Sequence, residues 1–528
     1  MLLAVPGRVA RTPAMPASGE TPLRSAAGLS VPRGPREHRH RWAILGVVAL
    51  GTFMTALDAS IVNIGLPSIA RTFRTPLGGA AEWVIIAYLV AIAATLLPFG
   101  HLSDLVGRKP VWLAGLATFT VGSMLCGATP TLALLVFARA IQGFGGALIF
   151  APGVAIIMDA FPPTRRGRAL GVNAVVFAMG TSLGPTLGGL ITEHLSWRWI
   201  FYLNVPIGAL ALLASQAVLG RSGPRRREPF DVPGAVLLAV GFAFLTVALS
   251  FSPEWGWASA RLLTCLAVGT VALVGAVLVE HRAPRPIIDL ALFRERMLVS
   301  SLGSMTLAML ALFAVSFMLP FYFEELRGFS VERSGLLLTP LPLTIALVAP
   351  VSGSLADRIG SRWLTAGGLA LACLGLLFLA RLDAGSTLRE VIGGLVLTGV
   401  GQGMFQTPNS RALMNAVPPG KHGEASGLLA TGRVVGQSLS VALAGAIFAG
   451  LGGASAGRVL AATAAGAIAP GDIAALQQTF LTGFKGALMV CAAVAAVGVL
   501  ATLTRGDEQQ PARAAVGPAE HATNRDQA

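Results

Sequence analysis

Charge is scarce in this chain. Asp, Glu, Lys and Arg together make up 12% of its 528 residues, about half the share usual in soluble globular domains. Acid is scarcer than base, 25 residues against 39. Tyrosine occurs three times and histidine seven times, which leaves little to stack on nucleic-acid bases. The four cysteines, Cys126, Cys265, Cys373 and Cys491, each stand alone in an apolar run. Their spacing fits neither a metal site nor a disulfide framework, so they read as packing residues. The histidines lie in the tails or at the ends of apolar stretches, and no paired intramembrane carboxylates appear. A metalloenzyme or hydrolase site is therefore not expected, nor is a cofactor. No Gly-x-x-x-x-Gly-Lys-[Ser/Thr] segment occurs, which removes the phosphate cradle of an ATP-driven machine.

Apolar residues fill the space instead, at 54% of the chain. About 20 consecutive apolar residues cross a bilayer as a helix. Fourteen stretches qualify: 42–68, 83–101, 111–129, 131–152, 169–192, 199–220, 232–252, 261–280, 298–321, 334–353, 363–381, 390–411, 426–451 and 481–503. The fold class is thus an all-α polytopic membrane protein. Residues 1–41 are basic, rich in Pro, Ala and Gly, and lack the apolar core of a signal peptide, so they read as a disordered tail. The segment 452–480 is interrupted by Arg458, Pro470 and Asp472 and reads as an external loop able to hold an interfacial helix.

The net charge of +14 invites a nucleic-acid reading, but its distribution follows the positive-inside rule. Loops after even-numbered stretches hold seventeen Lys and Arg, Arg165, Arg166 and Arg168 among them, against ten on the other side. Both tails fall on the basic side and are expected in the cytoplasm, with the chain in the cell membrane.

The sequence also repeats itself. Gly100-His101-Leu102-Ser103-Asp104-Leu105-Val106-Gly107-Arg108-Lys109 returns 253 residues later as Gly353-Ser354-Leu355-Ala356-Asp357-Arg358-Ile359-Gly360-Ser361-Arg362. The Pro162-Pro163 segment before stretch 5 returns at Pro418-Pro419, at an offset of 256. Two matches at nearly one offset pair stretches 1–6 with 9–14. The expected organisation is a tail (1–41), a six-helix bundle (42–220), an inserted hairpin with linkers (221–297), a second six-helix bundle (298–503) and a tail (504–528). Asp104 and Asp357 can each cap the positive N-terminus of a helix in the opposite bundle, those of stretches 13 and 5 respectively. With Gly100, Gly107, Arg108, Gly360 and Arg362 they read as gating residues. Ser361 stands where the first copy has Arg108, so the second charge network is expected to be weaker.

Polar residues inside the spans point to chemistry. Asp58 lies within the first stretch, on an otherwise apolar stripe; an acid there is costly unless it serves a proton path or finds a partner. Arg139 and Gln142 share a face of stretch 4 with Gly143 and Gly146, and Arg139 needs an acceptor, either Asp58 within the same bundle or backbone carbonyls near a helix end. Gly180, Gly184 and Gly188 recur every fourth residue in stretch 5 and make one smooth packing face, while Pro185 permits a kink. Asn63, Gln142, Gln402, Gln406, Asn409, Arg433 and Gln437 are candidates for the lining of a substrate cavity; Arg433 with Gln437 could equally interlock the bundles. Glu324 and Glu325 read as a solvated outer rim, and Glu82 as a residue of the outer mouth. Between Gly335 and Val351 there is no acid.

On these motifs the chain resembles the major facilitator superfamily, and within it the fourteen-span drug:proton antiporters of EmrB/QacA type. The resemblance rests on the two Gly-x-Leu-x-Asp-x-x-Gly loops, the Leu57–Pro67 segment, Arg139–Gly146, Gly180–Gly189 and Trp197-Arg198-Trp199-Ile200-Phe201-Tyr202-Leu203-Asn204-Val205-Pro206-Ile207-Gly208. It implies two bundles rocking about a central site, with Asp58 and Arg139 tied to proton coupling. It also implies that Gly180, Gly184, Pro185, Gly188 and Gly189 form a motif of antiporters that seals against proton leak. The function expected is export of amphipathic or hydrophobic small molecules against protons. The alternative on the same fold is a dedicated exporter of one metabolite, antibiotic, siderophore, peptide or lipid. The partners expected are the small-molecule substrate, protons and the lipid bilayer, with a monomeric chain and no nucleic acid. A channel is disfavoured because no filter-like re-entrant loop is present.

Overall fold

A computed structural model describes residues 35–75, 81–220, 230–283, 286–463 and 470–505. Every element in it is helical, as burial in lipid demands, because each backbone polar group must then find its partner within its own segment. In chain order the first half holds α1 (Pro35–Phe73), α2 (Trp83–Val106), α3 (Arg108–Ala128), α4 (Leu132–Ala160), α5 (Arg166–His194), α6 (Arg198–Tyr202) and α7 (Asn204–Val218). Then follow α8 (Val232–Trp255) and α9 (Ala260–Arg282). The second half holds α10 (Arg296–Phe321), α11 (Val331–Leu338), α12 (Pro340–Ile359), α13 (Arg362–Leu379), α14 (Leu388–Asn415), α15 (His422–Gly450), α16 (Gly453–Thr463) and α17 (Pro470–Leu503).

Local chemistry sets the ends. Thr131, Asp231, Ser259 and Ser330 cap α4, α8, α9 and α11 through their side-chain oxygens, and Thr387 with Glu390 forms a reciprocal capping box at α14. Two spans are broken by proline. Pro340 starts α12 just after α11 ends, and Pro206, in the first turn of α7, has no N–H to give the Tyr202 carbonyl. Gly107 (φ 99°) and Gly360 (φ 85°) turn the chain between α2 and α3 and between α12 and α13. A side chain would be strained at either place, which accounts for that glycine in both copies of the repeated loop.

Thirteen helical stretches among the described residues are long and apolar enough to cross a membrane. The sequence suggested fourteen. The remaining one, 390–411, is the 28-residue helix α14. It is long enough to cross, but Gln402, Gln406, Asn409 and Arg411 leave it too polar to be counted with the rest. Two other expectations are revised. The 452–480 segment is mostly helix: α16 packs against the long α17, which begins at Pro470, and residues 464–469 lie outside the described residues. Helix α1 begins at Pro35, inside the segment expected to be disordered, while residues 1–34 and 506–528 lie outside the described residues, as does the basic 221–229 loop.

Helices α1–α7 pack on one another, with α1 against α5 and α7, and α4 against α2 and α3. Helices α10 and α12–α17 do the same, with α14 against α12 and α13, and α17 against α10 and α13. Between the two groups, α5 lies on α12 and α15 lies on α2, a reciprocal exchange that follows from the internal repeat. Helices α8 and α9 pair with each other, and α8 rests on both α2 and α15, one helix from each group.

Candidate functional site

Asp58 lies about 27 Å along α1 from His40 at 1.5 Å per residue, in the half of the helix farther from the chain termini. It is fully buried inside the first bundle. Three donors converge on its carboxylate. Arg139 Nη1 donates to Oδ2 at 2.7 Å, Gln142 Nε2 to Oδ1 at 2.9 Å, and Asn204 Nδ2 to Oδ1 at 2.9 Å. Arg139 is itself held on all sides. Its Nε donates to the Val84 carbonyl of α2 at 2.8 Å, Nη1 also reaches Gln142 Oε1 at 2.7 Å, and the guanidinium lies 4.2 Å from the centre of the Tyr88 ring. Ser123 closes the circle, accepting from Asn204 at 3.1 Å and donating to the Phe201 carbonyl at 2.8 Å. The site thus joins α1, α2, α3, α4 and α7. Breaking a buried pair of this kind by deleting one member typically costs about 3–5 kcal/mol, because the other charge stays buried alone.

Sequence reasoning identified Asp58, Arg139 and Gln142 but not Asn204, Ser123 or Tyr88. Asn204 is the amide in the otherwise apolar run after Tyr202, and that polarity was the available signal. It reaches Asp58 because the chain breaks between α6 and α7. Its Oδ1 is buried and has no hydrogen-bond partner among the described residues, and neither has the Tyr88 hydroxyl.

The smooth face of α5 meets α1 next to this site. A Cβ on Gly180 would lie 2.9 Å from the Phe53 carbonyl oxygen, one on Gly184 3.0 Å from the Ile61 nitrogen, and one on Gly188 3.0 Å from the Ile61 carbonyl oxygen. Gly189 is different. A Cβ there would meet nothing within 4 Å, so its place in the motif is not one of packing. The side chain of Pro185 lies outside the described residues.

At the end that carries the termini, the two repeated loops each reach into the opposite bundle. Asp104, at the end of α2, accepts from the backbone N–H of Gly423 and of Glu424, both at 3.0 Å, at the N-terminus of α15. Asp357, at the end of α12, accepts from Gly167 N at 3.0 Å and Arg168 N at 3.2 Å, at the N-terminus of α5. Each carboxylate thus faces a positive helix end. Gly100 lets α15 approach, since a Cβ there would lie 2.7 Å from the Gly423 oxygen. Arg108 bonds Asp104 at 3.4 Å and also pairs with Asp159 of α4, which touches His422. The second copy is not the poorer one. Asp357 pairs with Arg411 Nε of α14 at 2.9 Å, so its cation comes from a neighbouring helix and not from the loop position occupied by Ser361. Arg362 turns away to the Leu503 carbonyl at 2.9 Å. Arg166 donates to Asn415 Oδ1 at 3.1 Å. The hydrogen bonds described between the two bundles all lie at this end.

The remaining candidates separate. Asn409 is buried and bonded, donating to the Ser301 carbonyl at 2.9 Å and accepting from Ser304 at 3.2 Å and from Arg505. It binds α14 to α10. Gln402, Gln406 and Gln437 are half-buried and Asn63 is exposed. Arg433, half-buried on α15, points to the Phe177 ring of α5, 5.8 Å away. Glu324 and Glu325 are half-buried in the π-helical turn Tyr322–Leu326, and Glu325 Oε2 is buried, so they are not a solvated rim. At the mouth of α2, burial and then Glu254 push the Glu82 carboxyl above its usual range.

Comparison with known proteins agrees with this architecture. A family model described as Major Facilitator Superfamily matches residues 48–441 and 301–523. The chain is 34% identical over 413 residues to the multidrug resistance protein Stp of Mycobacterium tuberculosis, covering 78% of this chain and 76% of Stp. It is 33% identical over 415 residues to the riboflavin transporter RibZ of Clostridioides difficile, covering 78% of this chain and 89% of RibZ. The solved structure of the proton:xylose symporter XylE superposes with a TM-score of 0.59 at 13% identity, covering 88% of this chain and 95% of XylE.

Proposed function

The chain belongs to the major facilitator superfamily, and from that premise we propose that it exports amphipathic or hydrophobic compounds in exchange for protons, as a fourteen-span antiporter with both termini in the cytoplasm. Helix α14 is then the fourteenth crossing. The observation that carries the reading is the buried Asp58 with its three donors. A carboxylate so placed can hold a proton only by giving up its pairing with Arg139, so protonation and local packing change together.

Asn204 suits both states of the acid. Its Nδ2 donates to the ionised carboxylate, and its unpartnered Oδ1 could accept from the protonated one after a turn of the amide. Changes at Asp58 have two physical routes to the basic end. Arg139 holds α2 at Val84, and α2 ends in Asp104, the cap of α15. Helix α1 packs on the glycine face of α5, whose N-terminus is capped by Asp357. Protonation loosens the first bundle, the two caps release, and the central site opens to the cytoplasm. Release of the proton to the cytoplasm returns Asp58 to the ionised state, and the pairing with Arg139 and the caps are restored. The similarity to Stp favours efflux. The similarity to RibZ favours the second reading, a transporter dedicated to one metabolite. Susceptibility of cells to a panel of drugs, with and without expression, separates the two.

The coupling test is export from proteoliposomes under an imposed inward pH gradient. Asp58→Asn keeps the shape of the acid but cannot cycle, so uphill export should fall to background in a folded protein. Arg139→Ala should fail likewise, and Arg139→Lys should keep part of the activity, since the charge survives and the planar fork does not. Parental export by Asp58→Asn would remove Asp58 from the mechanism and direct the search to Glu82, Glu324 and Glu325.

A further inference from the structure

Two arginines sit deep in the spans, and their surroundings are opposite. Arg139 is enclosed by a carboxylate, an amide, a backbone carbonyl and two rings. Arg433 has no ion pair and no hydrogen bond among the described residues, and its Nε is buried without a partner. The group it faces is the Phe177 ring, 5.8 Å away. Arg433 lies eleven residues into the 29-residue helix α15, about 16 Å along its axis, and so near mid-membrane. Phe177 belongs to α5, in the other bundle, so the guanidinium stands between the bundles and not against lipid. The neighbouring Gly432 and Gly436 press on α10, where a Cβ would lie 2.8 Å from Leu302 and 2.6 Å from the Thr306 carbonyl oxygen, which turns the intervening Arg433 off that contact.

An unpaired charge at this depth is expensive. Among the described residues no acid forms an ion pair with it: Asp58 is taken up by three donors of its own, and Asp104 and Asp357 are engaged at the helix ends. We propose that Arg433 is the anchor for an anionic group on the transported compound, which is therefore an amphipathic organic acid carrying a carboxylate, sulfonate or phosphate on an apolar or aromatic body. This rests on the export reading above and specifies its substrate class. The guanidinium fork matches the paired oxygens of such a group. Gln437, one turn further along the same face, adds amide donors, and the Phe177 ring offers a flat apolar surface for the body. A cationic drug would meet the Arg433 charge with no carboxylate to offset it.

The test is binding without a gradient, so that it is independent of coupling. The protein is placed in phosphatidylcholine nanodiscs, and radiolabelled naphthylacetate is compared with its uncharged amide, naphthylacetamide, against empty discs. The parent should bind the carboxylate at least about tenfold more tightly, Arg433→Lys should keep part of that preference, and Arg433→Gln should bind both equally while its affinity for the amide is unchanged. Asp58→Asn should retain the preference while losing uphill export, which distinguishes failure of recognition from failure of coupling. Equal binding by the parent, or a preference that survives Arg433→Gln, would overturn the proposal. If phosphatidylglycerol in the disc displaces naphthylacetate, the occupant is a lipid headgroup and the substrate assignment falls.

Discussion

Replacing Asp104 by Ala should open the basic end of the molecule. The carboxylate accepts two backbone N–H bonds of 3.0 Å from the first turn of α15. A hydrogen bond to a charged group contributes about 1.5–3 kcal/mol, so the pair contributes up to ~6 kcal/mol while the end is closed. Water entering the open end satisfies the same N–H groups, which reduces the difference between the two states to roughly 2–3 kcal/mol. At 1.4 kcal/mol per factor of ten, the closed population should fall relative to the open one by about 30- to 150-fold. Arg108 retains Asp159 in the variant, so the loop should not collapse. Spin labels at the exposed Val106 and Ile359, one in each bundle, report the separation by pulsed electron resonance. The measurement is made at a pH where the parent shows both separations. Asp383→Ala, in the exposed turn at the far end, serves as the control. If the Asp104→Ala distribution matches the parent and the control, the caps do not hold the end closed, and the coupling route through α2 is wrong.

Gly184→Ala should separate α1 from α5, since the new Cβ would lie 2.8 Å from Ser60 Cβ and 3.0 Å from the Ile61 nitrogen. Overpacking of this order costs about 1–3 kcal/mol, read as a lower melting temperature and faster collapse of a pH gradient, whereas Gly189→Ala, with open space around it, should match the parent in both. Asp289, in the linker before α10, is held below the usual carboxylate range chiefly by its hydrogen bond from Lys421. Because its native pKa is depressed, the stability it adds is present above about pH 4 and is lost as the pH falls through the native value. Asp289→Asn should therefore lower the melting temperature at pH 7 and leave it unchanged in strong acid; an equal loss at both pH values would contradict the pairing.

Much of this molecule is legible in one dimension. Apolar runs of membrane length announce the spans, because a backbone in lipid has few ways to satisfy itself. The repeat announces two related halves, and Gly107 and Gly360 announce turns that need positive φ. Asp58 and Arg139 are conspicuous because charge in a span is so expensive. The 452–480 segment was harder to read. Within α14, Asn409 and Arg411 are tolerated because they bond to α10 and α12, and α16 is helix packed against α17.

Contact between distant residues was legible only in part: the pairing of Asp58 with Arg139 and the caps supplied by Asp104 and Asp357 could be expected, and most other partners could not. Asn204 meets Asp58 across 146 residues of chain, and Arg411 takes up a charge role that the loop sequence seemed to leave empty. Asn409 and Arg433 are both polar residues in apolar helices, yet one is bonded on both sides of its amide and the other has no hydrogen-bond partner among the described residues. Composition and periodicity are properties of a single helix, and they determined which segments span and which residues are costly to bury. Which donor meets which acceptor depends on how helices from separate parts of the chain rotate and pack, and that was decided only in the tertiary structure.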